Sequence, residues 1–94
     1  MSGGIGKTER RVLLWNLQGQ RCAGCGNRIR SRSIHALTID EAIPRARGGR
    51  RIFGNQLAMH RLCNLKKADR MPNGCERIWL EMVNAKLRKR GKPA

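Results

Sequence analysis

The apolar residues of the N-terminal part of the chain recur at helical spacing. In ERRVLLWNL, residues 9–17, the near-helical spacing is that of Val12, Leu13, Trp15 and Leu17, which is typical of an amphipathic helix. Gly19 follows this run and favours a helix end there. The pattern predicts a first helix that begins near Thr8, after a flexible, glycine-rich lead-in at residues 1–7.

The middle of the chain has the pattern of short strands separated by a loop. Residues 34–43 are rich in β-branched and apolar types, which predicts one strand or two short ones. Residues 56–59 predict a second short strand. Between them, residues 45–54 carry three glycines and four arginines, a composition that indicates a loop. A short helix is predicted from Arg61 to about Ala68.

The last segment predicts a helix over residues 75–90, after the break at Met71-Pro72-Asn73-Gly74. Its apolar residues recur at helical spacing, so one side of the helix is expected to face the core. That side carries Cys75, Ile78, Trp79, Met82 and Ala85. Cys75 is therefore interpreted as a small buried apolar residue. Together the elements predict a single small α+β domain over residues 1–94, flanked by an N-terminal and a C-terminal helix.

Composition adds a strong charge imbalance and a weak core. The chain has 21 Lys and Arg residues against six acidic residues, for a net charge of +15. Such an excess opposes compaction and is explained by a polyanionic partner, which predicts nucleic acid binding. Only three aromatic residues are available, namely Trp15, Phe53 and Trp79. A core this small is expected to need an additional crosslink.

The sequence gives no indication of a membrane protein. No apolar stretch approaches the ~20 residues of a membrane span. The N-terminus MSGGIGKTERR lacks the apolar core of a signal peptide. These features predict a cytoplasmic protein, and in that reducing compartment cysteines serve more often as metal ligands than as disulfides.

Two short motifs predict a structural zinc site. Cys22 and Cys25 form a CxxC pair with glycines beside it, and His60 and Cys63 form a second pair at the same spacing. A Cys₃His set is a common structural zinc site. Its binding free energy, on the order of 10 kcal/mol, becomes folding free energy. Zn²⁺ is thus the predicted crosslink of the small core.

Three alternatives to this zinc set remain open in the sequence. CxxC can be a redox pair, but no βαβ pattern surrounds it here. Cys75 could replace His60 as the fourth ligand. His35 lies in the strand run, where a packed or surface histidine is more common than a ligand.

The combined motifs resemble the HNH endonuclease family, whose fold is called ββα-metal or His-Me finger. The resemblance covers roughly residues 10–70 and depends on CAGCG, TIDEAIPRARGG and GNQLAMHRLCNLKK in that order. It implies a zinc-bound core within residues 8–70 and a DNA endonuclease activity that uses one divalent ion. It also implies that the short helix from Arg61 lies in the DNA minor groove.

The resemblance assigns roles to individual positions. Asp40 and Asn64 match ligands of the catalytic divalent ion, and Asn55 matches the residue that ties down the loop and orients the general base. Lys67 matches a basic residue one turn further along the helix. Glu41 stands where the family has the general-base histidine, and this is the departure from the pattern. Glu41 is therefore a substitute base, a second metal ligand or the mark of an inactive site.

The chemistry of these residues suits phosphodiester hydrolysis. Hard divalent ions such as Mg²⁺ and Mn²⁺, with Ni²⁺ as a further candidate, accept carboxylate and amide oxygens, which Asp40 and Asn64 offer. Such an ion polarises the phosphate and stabilises the leaving oxygen. The predicted partner is double-stranded DNA, bound with little sequence preference. The residues predicted to hold its backbone are Arg45, Arg47, Arg50, Arg51, Lys66 and Lys67.

Two other functions remain as alternatives. The first is a catalytically degenerate zinc module on the same fold that binds DNA or RNA without cutting it. The second is a basic, zinc-ribbon-like adaptor that contacts a protein. Metal-dependent nicking separates the nuclease from the first, and salt-dependent DNA binding separates both from the second.

Overall fold

The structure, a computed structural model, describes residues 6–91. Its helices are α1 (Lys7–Leu17), α2 (Arg61–Lys67) and α3 (Gly74–Lys89), and its strands are β1 (Leu37–Glu41) and β2 (Gln56–His60). This order confirms the predicted small α+β fold. Most of the predicted flexible lead-in, residues 1–5, lies outside the described residues. The first helix begins at Lys7, with Gly6 at its N-cap position.

The two strands pair in antiparallel fashion and carry α2 on one side. The register runs from Leu37 opposite His60 to Glu41 opposite Gln56. Because successive side chains of a strand point to opposite faces, Thr38 and Asp40 share one face of β1. Contacts from both residues to α2 confirm that this is the face covered by the helix.

The core lies around β2 and is closed by α1 and α3. Every residue of β2 except His60 is buried, so this strand packs on both faces. The core residues from the two helices are Leu14, Leu17, Val83 and Leu87. Within residues 6–91, no helix is long and apolar enough to cross a membrane.

A buried glutamine on the turn after α1 closes the outer edge of β2. Gln18 is 1% exposed. Its side-chain oxygen accepts a hydrogen bond of 2.7 Å from the backbone N–H of Ala58, and its amide nitrogen donates at 2.9 Å to the Ala58 carbonyl. The Ala23 N–H also donates to that carbonyl, at 3.1 Å. Gln18 therefore replaces a neighbouring strand, because unpaired buried backbone groups are costly.

The buried face of α3 differs from the predicted one. Cys75 is exposed, Ile78 is 61% exposed and Met82 is 41% exposed, so the interpretation of Cys75 as a buried apolar residue is wrong. The fully covered positions are instead Glu76, Val83 and Leu87. Trp79, part of the predicted face, does pack against the core together with Leu80. Glu76 can be buried on this side because its carboxylate pairs with Arg70 and accepts from the Asn73 backbone N–H in a capping box.

Candidate functional site

The predicted zinc ligands converge in space. One ligand atom from each of Cys22, Cys25, His60 and Cys63 lies within 4.8 Å of all the others. The Cys25 Sγ is 3.3 Å from the His60 Nδ1, and the Cys63 Sγ is 4.0 Å from the same nitrogen. Ligand bonds of about 2.0 to 2.3 Å to a tetrahedral zinc give separations of this size. The four residues therefore form a group that can hold a zinc ion.

Hydrogen bonds to the candidate ligands orient the His60 ring and the Cys22 sulfur toward the centre of the cluster. The outer ring nitrogen of His60, Nε2, is 3.2 Å from the carbonyl oxygen of Arg28. A carbonyl only accepts, so Nε2 carries the proton and Nδ1 presents its lone pair to the other ligands. The backbone N–H groups of Gly24 and His60 donate to the Cys22 Sγ at 3.2 and 3.3 Å. These two donors hold the Cys22 sulfur in position beside the other ligand atoms.

The electrostatics of the cluster also fit a cation. Burial raises the pKa of Cys63 to about 12, and the neighbouring Cys22 and Cys25 sulfurs add to that rise. The crowded sulfurs therefore resist shared ionisation. Burial acts against ionisation of Cys25 as well, but hydrogen bonds from the Asn27 backbone and from Cys22 outweigh it and lower its pKa. A divalent cation would supply the positive charge that stabilises several thiolates together.

The structure places Cys75 outside this cluster. It lies on the first turn of α3 and is exposed. His35 is exposed too, in the turn before β1. Neither residue belongs to the metal-ligand group formed within residues 6–91.

Asp40 is buried against α2 and paired with a lysine. Its carboxylate oxygen Oδ2 is 3.2 Å from the Lys67 Nζ, and the two side chains are 6% and 1% exposed. The same ammonium donates to the carbonyl oxygens of Ala42 and Glu41, at 3.1 and 3.5 Å. Burial raises the pKa of Asp40 to about 6, although Lys67 acts in the opposite direction. The Lys67 ammonium therefore contacts the end of β1 and Ala42. The sequence analysis had predicted that it would contact a DNA phosphate instead.

Asn64 lies on the same face of β1 as Asp40. Its amide nitrogen donates at 3.1 Å to the Thr38 hydroxyl and at 3.3 Å to the Ile39 carbonyl. Within residues 6–91, its amide oxygen has no hydrogen bond, and Asp40 Oδ2 accepts none despite its closeness to Lys67. Two oxygen ligands of the kind that a hard divalent ion prefers are thus present on one face. The Lys67 ammonium already neutralises one of them, so an ion would compete with it.

Glu41 projects from the opposite face of β1. Its Oε1 is 3.4 Å from the Nε of Arg51, while its Oε2 is buried with no hydrogen-bond partner in the described part of the chain. The pair of adjacent carboxylates in the sequence therefore serves two different surfaces. Asp40 faces α2, and Glu41 faces the groove between β1 and α1.

The Asn55 side chain crosslinks the loop of residues 42–55 through hydrogen bonds to the loop backbone. Its Oδ1 accepts from the Ile43 N–H at 2.8 Å, and its Nδ2 donates at 2.9 Å to the carbonyls of Ile43 and Arg50. This geometry matches the loop-holding role predicted for Asn55. A hydrogen bond between Asn55 and Glu41 is not among the contacts of residues 6–91, so orientation of a base by Asn55 stays a prediction.

The double glycine of the loop permits its tight fold. Gly49 donates its N–H to the Pro44 carbonyl at 2.9 Å. A Cβ added to Gly49 would lie 1.6 Å from the Ile43 carbonyl oxygen, which no side chain tolerates. Gly48 has a φ of 92°, in the region that glycine adopts without steric cost.

The loop exposes most of the predicted cations. Arg45, Gly49, Arg50 and Arg51 line a shallow concavity of about 370 Å³. Arg47 is exposed and donates from Nε to the Asp69 carbonyl at 2.9 Å. Lys66 is exposed on α2, beside the exposed Leu62 and Leu65.

A second ion pair, in which only the carboxylate is buried, lies near Asp40 and has no counterpart in the sequence-based prediction. Arg70 donates to both carboxylate oxygens of Glu76, at 3.1 and 3.0 Å, and the Glu76 side chain is 1% exposed. Glu76 and Arg70 both act on the pKa of Asp40, with opposite signs. The capping-box spacing of Asn73 and Glu76 was the one signal that could have located this pair.

The comparisons with known proteins give no further assignment: no protein-family model matches the chain, and no curated protein is significantly similar to it.

Proposed function

We propose that this protein binds DNA in the cytoplasm and hydrolyses its phosphodiester bonds with one divalent ion, as HNH nucleases do. The observation that carries the proposal is the shared position of Asp40 and Asn64 on the α2 face of β1, where Asp40 pairs with Lys67 and the Asn64 amide oxygen accepts no hydrogen bond within residues 6–91. The loop that follows β1 exposes four arginines, and one of them, Arg47, donates to the Asp69 carbonyl just after α2. A metal ligand set next to a phosphate-binding loop is the arrangement that such hydrolysis requires.

The charge distribution supports DNA as the substrate. The chain carries +15, and the loop residues Arg45, Arg47, Arg50 and Arg51 are all exposed. Helix α2 presents Arg61, Leu62, Leu65 and Lys66 to solvent. A face with both cations and apolar residues suits contact with a groove of the duplex, where phosphates flank sugars and base edges.

The protein residues have separable roles in this proposal. Asp40 and Asn64 would hold the divalent ion, which polarises the phosphate when bound. Glu41 would accept a proton from the attacking water, because an ionised carboxylate can act as a general base. Since Glu41 leaves β1 on the face opposite Asp40, its carboxylate would have to turn around the end of the strand to reach water at the ion. Arg51, 3.4 Å from Glu41, would hold an adjacent phosphate.

One alternative has its own supporting observation. Asp40 is already neutralised by Lys67, and Glu41 lies on the other face of the strand. These contacts favour a zinc module that binds nucleic acid without cutting it. In that case the Asp40–Lys67 pair would be structural, and the arginine loop alone would carry the function.

A plasmid nicking assay with Mg²⁺, Mn²⁺ or Ni²⁺ tests the proposal. Wild type should convert supercoiled to open-circular DNA, while Glu41→Gln should lose this activity because an amide accepts no proton. Asp40→Asn should also be inactive through loss of the carboxylate ligand. Glu81→Gln, an exposed change on α3, is the matched control and should retain activity.

Each result of the assay has a defined meaning. Wild type that is inactive with every ion, but still binds DNA, would support the non-catalytic alternative. Nicking that is unchanged in Glu41→Gln would exclude Glu41 as the base. Loss of zinc from any variant, measured by elemental analysis, would assign its defect to folding instead of chemistry.

A further inference from the structure

A groove between α1 and β1 forms a second concave surface, apart from the metal-ligand cluster. It has a volume of about 540 Å³, within the usual range of small-ligand sites. Its floor and wall include Ile34, Leu37 and Ile39, and its rim carries Arg10, Arg11 and Arg51 with Glu41 as the only carboxylate of the described lining. An apolar floor under a cationic rim suits a ligand that is flat and apolar at its centre and anionic at its edge.

The polar groups of the groove have unused hydrogen-bonding capacity. Glu41 Oε2 and the Nε atoms of Arg10 and Arg11 are buried, and none has a hydrogen-bond partner among residues 6–91. Arg10 is held in place by its Nη1, 3.4 Å from the Gln56 Oε1, and by Phe53, whose ring centroid is 4.5 Å from its Cζ. Buried groups of this kind are costly to leave unpaired, and the Glu41 side chain is 20% exposed, so a small rotation of its carboxylate would let a ligand in the groove donate to it.

The groove is continuous with the arginine loop. Arg51 lines both the groove and the shallow concavity that also includes Arg45 and Arg50. A strand whose phosphates contact the loop would thus pass the mouth of the groove. Paired bases hide their faces in the stack and expose only their edges, so a regular duplex offers nothing to the apolar floor.

We propose that this groove receives one unpaired nucleotide of a DNA strand whose phosphates lie on the loop arginines. The base would pack against Ile34 and Ile39, as flipped-out bases pack between apolar side chains in other sites. An exocyclic amino group would donate to Glu41 Oε2, which favours cytosine among the pyrimidines. Arg11 and Arg51 would contact the flanking phosphates. The inference rests on the proposed DNA binding, but it does not require cleavage.

The test compares two DNA probes on the zinc-loaded, full-length protein without added divalent ions. One probe is a fully paired duplex, and the other is the same duplex with a single bulged dC. Fluorescence anisotropy should show that wild type binds the bulged probe about tenfold more tightly, as expected for one base packed in a pocket.

Two exposed isoleucines provide a matched pair of variants. Ile34 is 63% exposed at the groove, and Ile78 is 61% exposed on α3, away from it. Ile34→Asp and Ile78→Asp make the same change in net charge, and the measured quantity is the ratio of affinities for the two probes, in which a general effect of the charge on phosphate binding cancels. Only Ile34→Asp should lose the preference for the bulge. Ile34→Ala and Ile78→Ala form a second pair of variants. They should show the same difference in preference for the bulged probe, to a smaller extent.

The outcomes separate this inference from the proposed function. Equal affinity of wild type for the two probes would overturn the groove assignment and leave DNA binding in place. An equal loss of bulge preference in Ile34→Asp and Ile78→Asp would overturn it as well, because the flexibility of bulged DNA would then explain the preference. Failure to bind either probe at low salt would overturn both proposals.

Discussion

The carboxylate of Asp40 lies 3.2 Å from the ammonium of Lys67, and this pair is the most deeply buried contact between opposite charges in the described chain. It joins the end of β1 to the last turn of α2. Burial raises the pKa of Asp40 from 3.8 to about 6 in spite of the lysine. Folding therefore disfavours the charged form of the Asp40 carboxylate, even with Lys67 beside it.

This pKa predicts a pH dependence of stability. A carboxyl whose pKa is raised by folding binds its proton more tightly in the folded state, so ionisation costs stability. No cost is present below about pH 4, and it grows between pH 4 and 6 to at most about 3 kcal/mol. The free energy of unfolding of the zinc-loaded protein should therefore fall by this amount as the pH rises from 4 to 6. Urea titrations at several pH values would measure it.

The double variant Asp40→Asn with Lys67→Met isolates the contribution of Asp40. It removes both buried charges, so no unpaired ion remains. The rest of the chain is identical in the two proteins, so its pH dependence cancels in the difference. The double variant should therefore become more stable relative to wild type as pH rises from 4 to 6. A constant difference over this range would mean that Asp40 does not titrate there.

Zinc removal should unfold the domain. Strong chelation is expected to abolish the cooperative thermal transition, because the binding free energy of a structural zinc site is folding free energy. Cys22→Ser should act as a folding variant with less than one zinc per chain by elemental analysis. Cys75→Ser, at an exposed position outside the cluster, is the control and should keep full zinc and stability. A folded wild type free of zinc would contradict the site.

Gln18 should be necessary for stability although it is not one of the four candidate metal ligands. Gln18→Leu keeps the approximate size but removes three hydrogen bonds and leaves the Ala58 N–H unpaired. A buried unpaired group costs about 1 to 3 kcal/mol, measurable as a lower urea midpoint. Asn16→Leu, an exposed change on the same helix, should have a small effect. Equal effects of the two would show that the β2 edge does not depend on Gln18.

The two glycines of the loop should respond differently to alanine. Gly49→Ala should displace the loop, since its Cβ would overlap the Ile43 carbonyl oxygen. Gly48→Ala meets no atom within 4 Å and should cost about 1 kcal/mol for its positive φ. Limited proteolysis of the loop should be faster in Gly49→Ala alone. Comparable cleavage of the two variants would argue against the close contact at Gly49.

The sequence alone determined those parts of the molecule that depend on local spacing. The two ligand pairs at CxxC and HxxC spacing, the short strands and the three helices were predicted within a few residues of where they lie. Each depends on groups close together in the chain, whose geometry is set by strand, turn and helix periods. The role of Asn55 in its loop was implied only by the family resemblance, although its three partners also lie within 12 residues.

The tertiary structure decided which of the possible faces are covered. Periodicity shows which residues of α3 share a side, but packing covered the side with Glu76, Val83 and Leu87 and left Ile78 and Met82 exposed. A polar residue can be buried when partners satisfy it. Those partners come from distant parts of the chain: Ala58 for Gln18, and Asp40 for Lys67. Their burial therefore has no local signature in the sequence.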